Sequence, residues 1–361
     1  MLIGVLGRSN NKISVVNLSD RTGSVLPAIG SDVTMPGAPT AVFIRESAKG
    51  TFAYAVTDNS FCAINLNLPT GPSASLPAAN VLTLGKGPTF ATIKSDGSLA
   101  YIINNQHDLY VVDLSTPDKP KVRSKQTLPW AFGYCALTKD ETSILLVKIE
   151  PPSTDTTHAT VIQFKIAADG SVMTLDTSGA VITEYFVNGV CSSSLAAGET
   201  TKAVYVGGGL CLDMFDRTKE YENIPTLTLN GSIVSLIPFA ADYYGAFAAH
   251  GNTLSYVYYN QIQSFVILPK PIKAVAIDDK SSYGFIASTD TGNTLTEINT
   301  KTFALTELNL PWQGPYLCLA VKTPTLVSFP GSPPTENPKP PKKPKPPKKT
   351  PKKCCKKRDC C

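Results

Sequence analysis

Asp278 and Asp279 stand side by side, and Asp140 and Glu141 follow Lys139. Adjacent carboxylates serve as general acid and base where their surroundings push their pKa values apart. Both pairs fall in short polar stretches between apolar runs, at the place held by Ser95–Asp96–Gly97 in "IKSDGSLAYII". Aspartate at such a place closes its own turn, so turn formation is the expectation for both. His107, His158 and His250 are the three histidines of the chain. A zinc site built on histidine needs converging ligands, and their polar neighbours place these three on separate exposed loops. The glycines of "LGKGPT" (84–89) and "YVGGGLCL" (205–212) lack the Lys-Ser/Thr ending and the following helix of a phosphate-binding loop. There is no Gly-x-Ser-x-Gly elbow, and no cysteine has a histidine nearby in sequence to activate it. No catalytic residue, metal ligand or cofactor is therefore expected.

The thiols fall into two groups. Cys62, Cys135, Cys191, Cys211 and Cys318 are scattered through apolar, strand-like runs and read as buried free thiols. Cys354, Cys355, Cys360 and Cys361 close the chain beside Lys352, Lys353, Lys356, Lys357 and Arg358, a setting that lowers thiol pKa and raises reactivity. Adjacent cysteines rarely pair with each other, so disulfides between chains are one expected fate. Metal ligation and lipidation are the alternatives.

These cysteines end a segment of its own kind. From Gly331 onward aromatic, Ile, Leu and Val residues are absent, so no core can form and the segment is expected to be disordered or extended. It carries eleven Lys and Arg against Glu336 and Asp359, a net 11 − 2 = +9, which leaves the preceding body at 22 − 26 = −4. Its prolines favour a polyproline rod, and at about 3.1 Å per residue the stretch 338–353 would reach roughly 50 Å. Lys342, Lys343, Lys345, Lys348 and Lys349 lie along that rod, with the cations of 352–358 beyond it. Such a rod suits an anionic partner, whether nucleic acid, a membrane surface or an acidic protein.

One pair of motifs in the body suggests recognition. "TLPWAFGY" and "NLPWQGPY" share Leu-Pro-Trp and a tyrosine four residues after the tryptophan, and they hold both tryptophans of the chain. Trp130, Tyr134, Trp312 and Tyr316 are thereby candidates for stacking on a sugar or gripping a peptide, with structural packing as the alternative.

What must position these residues is a repeat. "KGPTFATIKSDGSLAYIINNQHDLYVVDLSTPDKPKV" (86–122) aligns with segments starting at 37 and 270, and weaker copies start near 129, 188, 232 and 312. Each unit has an apolar run, a charged turn, a second apolar run of the "AYAV" kind, a polar turn, and a third run ending near Asn or Asp. Asn17, Asn65, Asp113 and Asn299 occupy that last place, where a side chain caps the turn that follows. Strands at this period predict the four-stranded blades of a β-propeller. The C-terminal unit supplies only a first strand and the N-terminus opens on a second, so the two ends are expected to build one blade together and close a seven-bladed ring.

The unit "GKGPTFATIKSDGSLAYIINNQHDLYVVDLSTPDKPKV" resembles the propellers of the YVTN and lactonase-like group, and "LYVVDLSTPDKP" resembles the LVIVD repeat of surface-layer proteins. The lactonase resemblance implies acid/base or metal-binding side chains around the central channel. The corresponding positions here are Pro39, Pro88, Pro129, Val190, Val234, Ile272 and Pro315, with few charged neighbours. The Lys/Pro tail resembles segments of structural proteins from large algal (chlorella) viruses. The expectation is an all-β seven-bladed propeller over 1–330 with a disordered tail over 331–361. It acts as a non-enzymatic scaffold or binding protein whose face meets a protein assembly, a capsid being one setting, and whose tail attaches it. A lactonase-like hydrolase and a nucleic-acid-associated scaffold are the alternatives. Nothing in "MLIGVLGRSNNK" reads as a signal peptide and no run approaches the roughly 18 apolar residues of a membrane span, so synthesis in the cytoplasm is expected.

Overall fold

The computed structural model describes residues 1–322, apart from 21, 68–75, 86, 105, 149–157, 174–180, 189–195, 200–202, 217–221, 239–243, 279 and 281. Its strands form seven sheets of four, each antiparallel. The first sheet is made from both ends of the body. β1 (Ile3–Arg8), β2 (Lys12–Asn17) and β3 (Val33–Thr34) are completed by β28 (Tyr316–Lys322), which pairs with β1 from Ile3 opposite Lys322 to Arg8 opposite Tyr316. Arg8 reinforces this closure. Its guanidinium donates to Asp32 Oδ2 at 2.9 Å and to Gln313 O at 3.3 Å, tying the start of the chain to a loop some three hundred residues away.

The remaining blades begin at β4 (Ala41–Ser47), β8 (Pro88–Ile93), β12 (Phe132–Leu137), β16 (Ala196–Glu199), β20 (Ile233–Pro238) and β24 (Ile272–Ile277). With β28, these first strands touch one another in sequence around a closed ring. The blade that was expected to begin near 188 begins at Ala196 instead. Asn188 closes the outer strand of the preceding blade, β15 (Val181–Asn188), so the long apolar-polar run "VITEYFVN" lengthened that blade and displaced the next start.

The core is a ring rather than a centre. Seven apolar clusters occur, one between each pair of neighbouring blades. Second strands are therefore covered on both faces, and β5 (Gly50–Val56) and β9 (Leu99–Asn104) are buried along their full length. That double coverage explains why "GTFAYAV" and "LAYIIN" read as continuous apolar runs without the alternation of a half-exposed strand. Small residues make the close face-to-face approach possible: Ala53, Ala55 and Ala100 are about as buried as Phe52 and Tyr101.

The turns behave as their residue types dictate. Asn17, Asn65, Asp113 and Asn299 each accept a backbone N–H two residues on, from Ser19, Asn67, Ser115 and Lys301, at 2.8–3.0 Å. At the other end of five of the sheets a buried leucine follows the outer strand, and its amide donates to the loop joining second and third strands. Leu84 donates to Asn59 O, Leu128 to His107 O, Leu229 to Leu210 O, Leu268 to Asn252 O and Leu310 to Asn293 O, at 2.6–3.0 Å. These five blades thus fix the place where the chain crosses to the next.

Two histidines were expected on loops and are not there. His158 opens β14 (His158–Lys165), and His250 ends β21 (Gly245–His250) with 1% of its surface exposed. "AHGN" looks like a turn because Gly251, at φ +56°, does begin one; the strand simply runs one residue further. Only His107 sits in an exposed turn, with φ +65°.

Candidate functional site

In an antiparallel blade the first-to-second and third-to-fourth turns lie at one end of the ring, and the crossings between blades lie at the other. A pocket of about 300 Å³ opens at the first end, among the first strands that line the channel. Four blades contribute: Arg45 from β4, Thr92 and Ile93 from β8 with Ser95 beyond it, Tyr134, Ala136 and Leu137 from β12, and Leu236 and Pro238 from β20. The turn after β12 adds Thr138, Lys139 and Glu141.

Its polar groups join blades. Arg45 alternates out of the apolar pattern of "AVFIRES" towards the channel, and its Nε and Nη2 both donate to Ile93 O of the neighbouring blade at 3.3 Å. Glu141 Oε1 accepts the amide of Ser95 at 2.5 Å, binding the turn of one blade to the turn of another. Glu141 itself has φ +57°, a costly geometry for a non-glycine residue. Tyr134 lies with its ring 4.1 Å from that of Phe90, across the same interface. Chemically this mouth offers two cations, one carboxylate and several hydroxyls on an apolar floor, which suits binding of a polar or anionic group.

The other carboxylate-rich turns are structural. Asp140 Oδ1 accepts from Thr142 N at 3.2 Å and from Thr142 Oγ1 at 2.9 Å. Asp278 Oδ1 accepts from Ser282 N at 2.6 Å and Tyr283 N at 3.0 Å; Asp279 lies outside the described residues. Asp96 accepts from Ser98 N at 2.9 Å; burial pushes its carboxyl up, but the Ser98 hydrogen bonds and the nearby Lys94 charge outweigh it and hold the pKa low. Among the described residues no three His, Cys, Asp or Glu side chains gather as a metal-binding group. Cys62, Cys135 and Cys318 are buried, as expected, and Cys211 is half-buried. Burial pushes the Cys62 and Cys318 thiols up to about 12 and raises Cys135 as well.

The two Leu-Pro-Trp motifs lie at the opposite end of the ring, in the crossings that lead into β12 and β28. Two blades separate them one way round and three the other, so the fold does not bring Trp130 and Trp312 into one aromatic clamp. Each indole is half-buried against an apolar cluster, and each carries a cation over its ring: Lys148 Nζ at 4.9 Å from Trp130 and the Arg8 guanidinium at 5.9 Å from Trp312. The tyrosines diverge. Tyr316 is buried and donates its hydroxyl to Trp312 O at 2.6 Å, and burial raises its phenol to about 12. Tyr134 instead reaches the channel pocket. That pocket is not legible in the sequence; the one available signal is the adjacent pair Arg45 and Glu46 in an otherwise mostly apolar first strand. The tail lysines, Arg358, Cys354, Cys355, Cys360 and Cys361 lie outside the described residues, as does Cys191.

No family model matches the chain, and no curated protein matches it in sequence. Many solved structures share its architecture. A candidate 6-phosphogluconolactonase of Bacteroides fragilis aligns over 89% of this chain and 97% of its own, with TM-score 0.63 and 13% identity. A protein of unknown function from Desulfotomaculum acetoxidans aligns over 88% and 95%, with TM-score 0.60 and 13% identity. The apo form of AztD from Citrobacter koseri aligns over 91% and 98%, with TM-score 0.57 and 9% identity. At these identities the likeness is one of fold, and the expectation of a seven-bladed all-β propeller is borne out. None of the matches bears on the Lys/Pro tail, whose viral resemblance stands on composition alone.

Proposed function

We propose that this chain is a binding propeller rather than an enzyme, recognising a protein assembly through an end of its ring and attached to an anionic surface by its basic, cysteine-ended tail over 331–361. One observation carries the first half: two of the charged side chains of the channel mouth join neighbouring blades, Arg45 on Ile93 O and Glu141 on the Ser95 amide. Groups so engaged brace neighbouring blades and shape a surface that a partner can meet. The second half rests on charge: +9 concentrated in the tail against −4 in the body. A virus particle is one setting that fits the tail's composition.

The Bacteroides neighbour makes hydrolysis of a sugar lactone the reading to exclude. The purified protein is expected to show no rate above the buffer blank in a 6-phosphogluconolactonase assay. Turnover that disappears in Arg45→Ala while the variant stays folded would replace the binding proposal with an enzymatic one.

A further inference from the structure

Each blade has two edge strands, the innermost facing the narrow channel inside the ring and the outermost lying at the rim, where another chain can reach it. Such strands present unpaired N–H and C=O groups and invite pairing unless they are short, charged or interrupted. The rim strands of this propeller differ sharply in how they are protected. β3 has two residues and β7 (Asn80–Thr83) has four. β11 (Lys121–Thr127) has seven but carries Lys121, Arg123 and Lys125, and β27 (Leu305–Asn309) carries Glu307. β23 (Gln261–Ile267), "QIQSFVI", has seven residues, no charge and no proline.

The same strand is conspicuously apolar towards solvent. Phe265 and Ile267 are 58% and 57% exposed, the highest values among the described large hydrophobic residues, and Ile262 and Tyr258 on the same hairpin are 39% and 38% exposed. The hairpin is also held firmly. β22 (Thr253–Tyr258) pairs with β23 from Thr253 opposite Ile267 to Tyr258 opposite Gln261. The two linking residues, Tyr259 and Asn260, are both left-handed, at φ +49° and +54°, the conformation of the tightest hairpin turn, which asparagine adopts readily and tyrosine does not. Tyr259 Oη lies 3.4 Å from Asp216 Oδ2 of the neighbouring blade, and Val266 packs into the cluster on the other side. The edge is thus presented rigidly, with little ordering cost left for a partner to meet.

We propose that β23 is a self-association edge: two copies of this chain pair through it, antiparallel about a two-fold axis near Phe265, and fuse two blades into one continuous sheet. The occupant follows from charge. In a two-fold contact a strand meets itself, so any net charge on it repels its own copy. Three cations disqualify β11 from such pairing, whereas neutral β23 is compatible with itself. An axis at Phe265 sets the two rings against each other and each Ile267 diagonally across from the opposite ring, which covers both of the most exposed apolar side chains at once.

The test is the mass in solution of the full-length protein, kept in reductant so that the tail thiols cannot link chains. It is run at about 0.15 M and about 0.5 M salt, because pairing of basic tail with acidic body weakens with salt and apolar strand pairing does not. A dimer is expected at both. Phe265→Lys and Phe265→Glu should each raise the dissociation constant at least a hundredfold. An equimolar mixture of the two should restore the dimer, since position 265 meets its own counterpart. Circular dichroism checks that both variants are folded, and Ile267→Lys provides a second disruption if either is not. A monomeric wild-type protein at high concentration, a dimer that survives both charged variants, or a mixture that stays monomeric would each overturn the proposal.

Discussion

His250 links the stability of the fold to pH. Its ring is buried, Nε2 lies 2.8 Å from Ser255 Oγ, and burial lowers its pKa. The folded state therefore holds fewer protons than the unfolded chain once pH falls below the ordinary histidine value of about 6.5. Stability should be full well above that value and decline as pH falls through it towards pH 5, by at most about 1.4 kcal/mol per pH unit. In urea titrations His250→Gln should lower the midpoint at pH 7 and remove most of its change over that interval; an unchanged slope would assign the effect elsewhere. The buried thiols give a second residue-scale expectation. Cys62, Cys135 and Cys318 should react with an aromatic disulfide only after unfolding, and the four tail cysteines should react within the mixing phase. At this scale the sequence was informative where chemistry is local. Asn17, Asp113 and Asn299 were legible as turn caps because each bonds two residues on. The place of His250 was not, because its burial depends on strands that the histidine's own neighbours do not reveal.

At the scale of elements, turns and crossings decide the fold. Gly97 closes the turn after β8 at φ +67°, and a Cβ there would stand 2.9 Å from Glu46 O of the preceding blade. Gly97→Ala should cost about 2 kcal/mol, from the left-handed backbone and the contact together. Denaturant midpoints will measure it. The closing blade has its own constraint. A Cβ on Gly7 would meet Cys318 Sγ at 2.4 Å and Pro39 Cγ at 2.7 Å. Gly7→Ala should therefore destabilise by roughly 1–3 kcal/mol, and adding Cys318→Ala should recover part of that loss. A double-mutant cycle with strictly additive energies would contradict this packing. Most strands were readable from the repeat, because second strands buried on both faces leave long apolar runs. The fifth blade was misplaced because its first strand has only the four residues Ala196–Glu199 and follows an eight-residue outer strand, so the apolar signal was shifted into its neighbour.

For the whole molecule, ring closure and charge separation are the two properties the sequence made visible. An N-terminus that opens on a second strand and a C-terminal unit that stops after a first strand have one economical solution, and β28 pairs with β1 accordingly. The channel pocket was not visible, since four separate blades assemble it and no short stretch contains its pattern. The proposed division of labour predicts separable behaviour of ring and tail. Removing 331–361 should shift the melting temperature by no more than about a degree, since the segment has no apolar residues to contribute to a core. Co-sedimentation with vesicles containing phosphatidylserine, and with duplex DNA, over a series of salt concentrations tests the attachment most directly. The full-length chain should bind at low salt, release as salt rises, and lose binding entirely on truncation at 330. Equal binding by the full-length and truncated chains, or none by either to any anionic surface, would contradict the account.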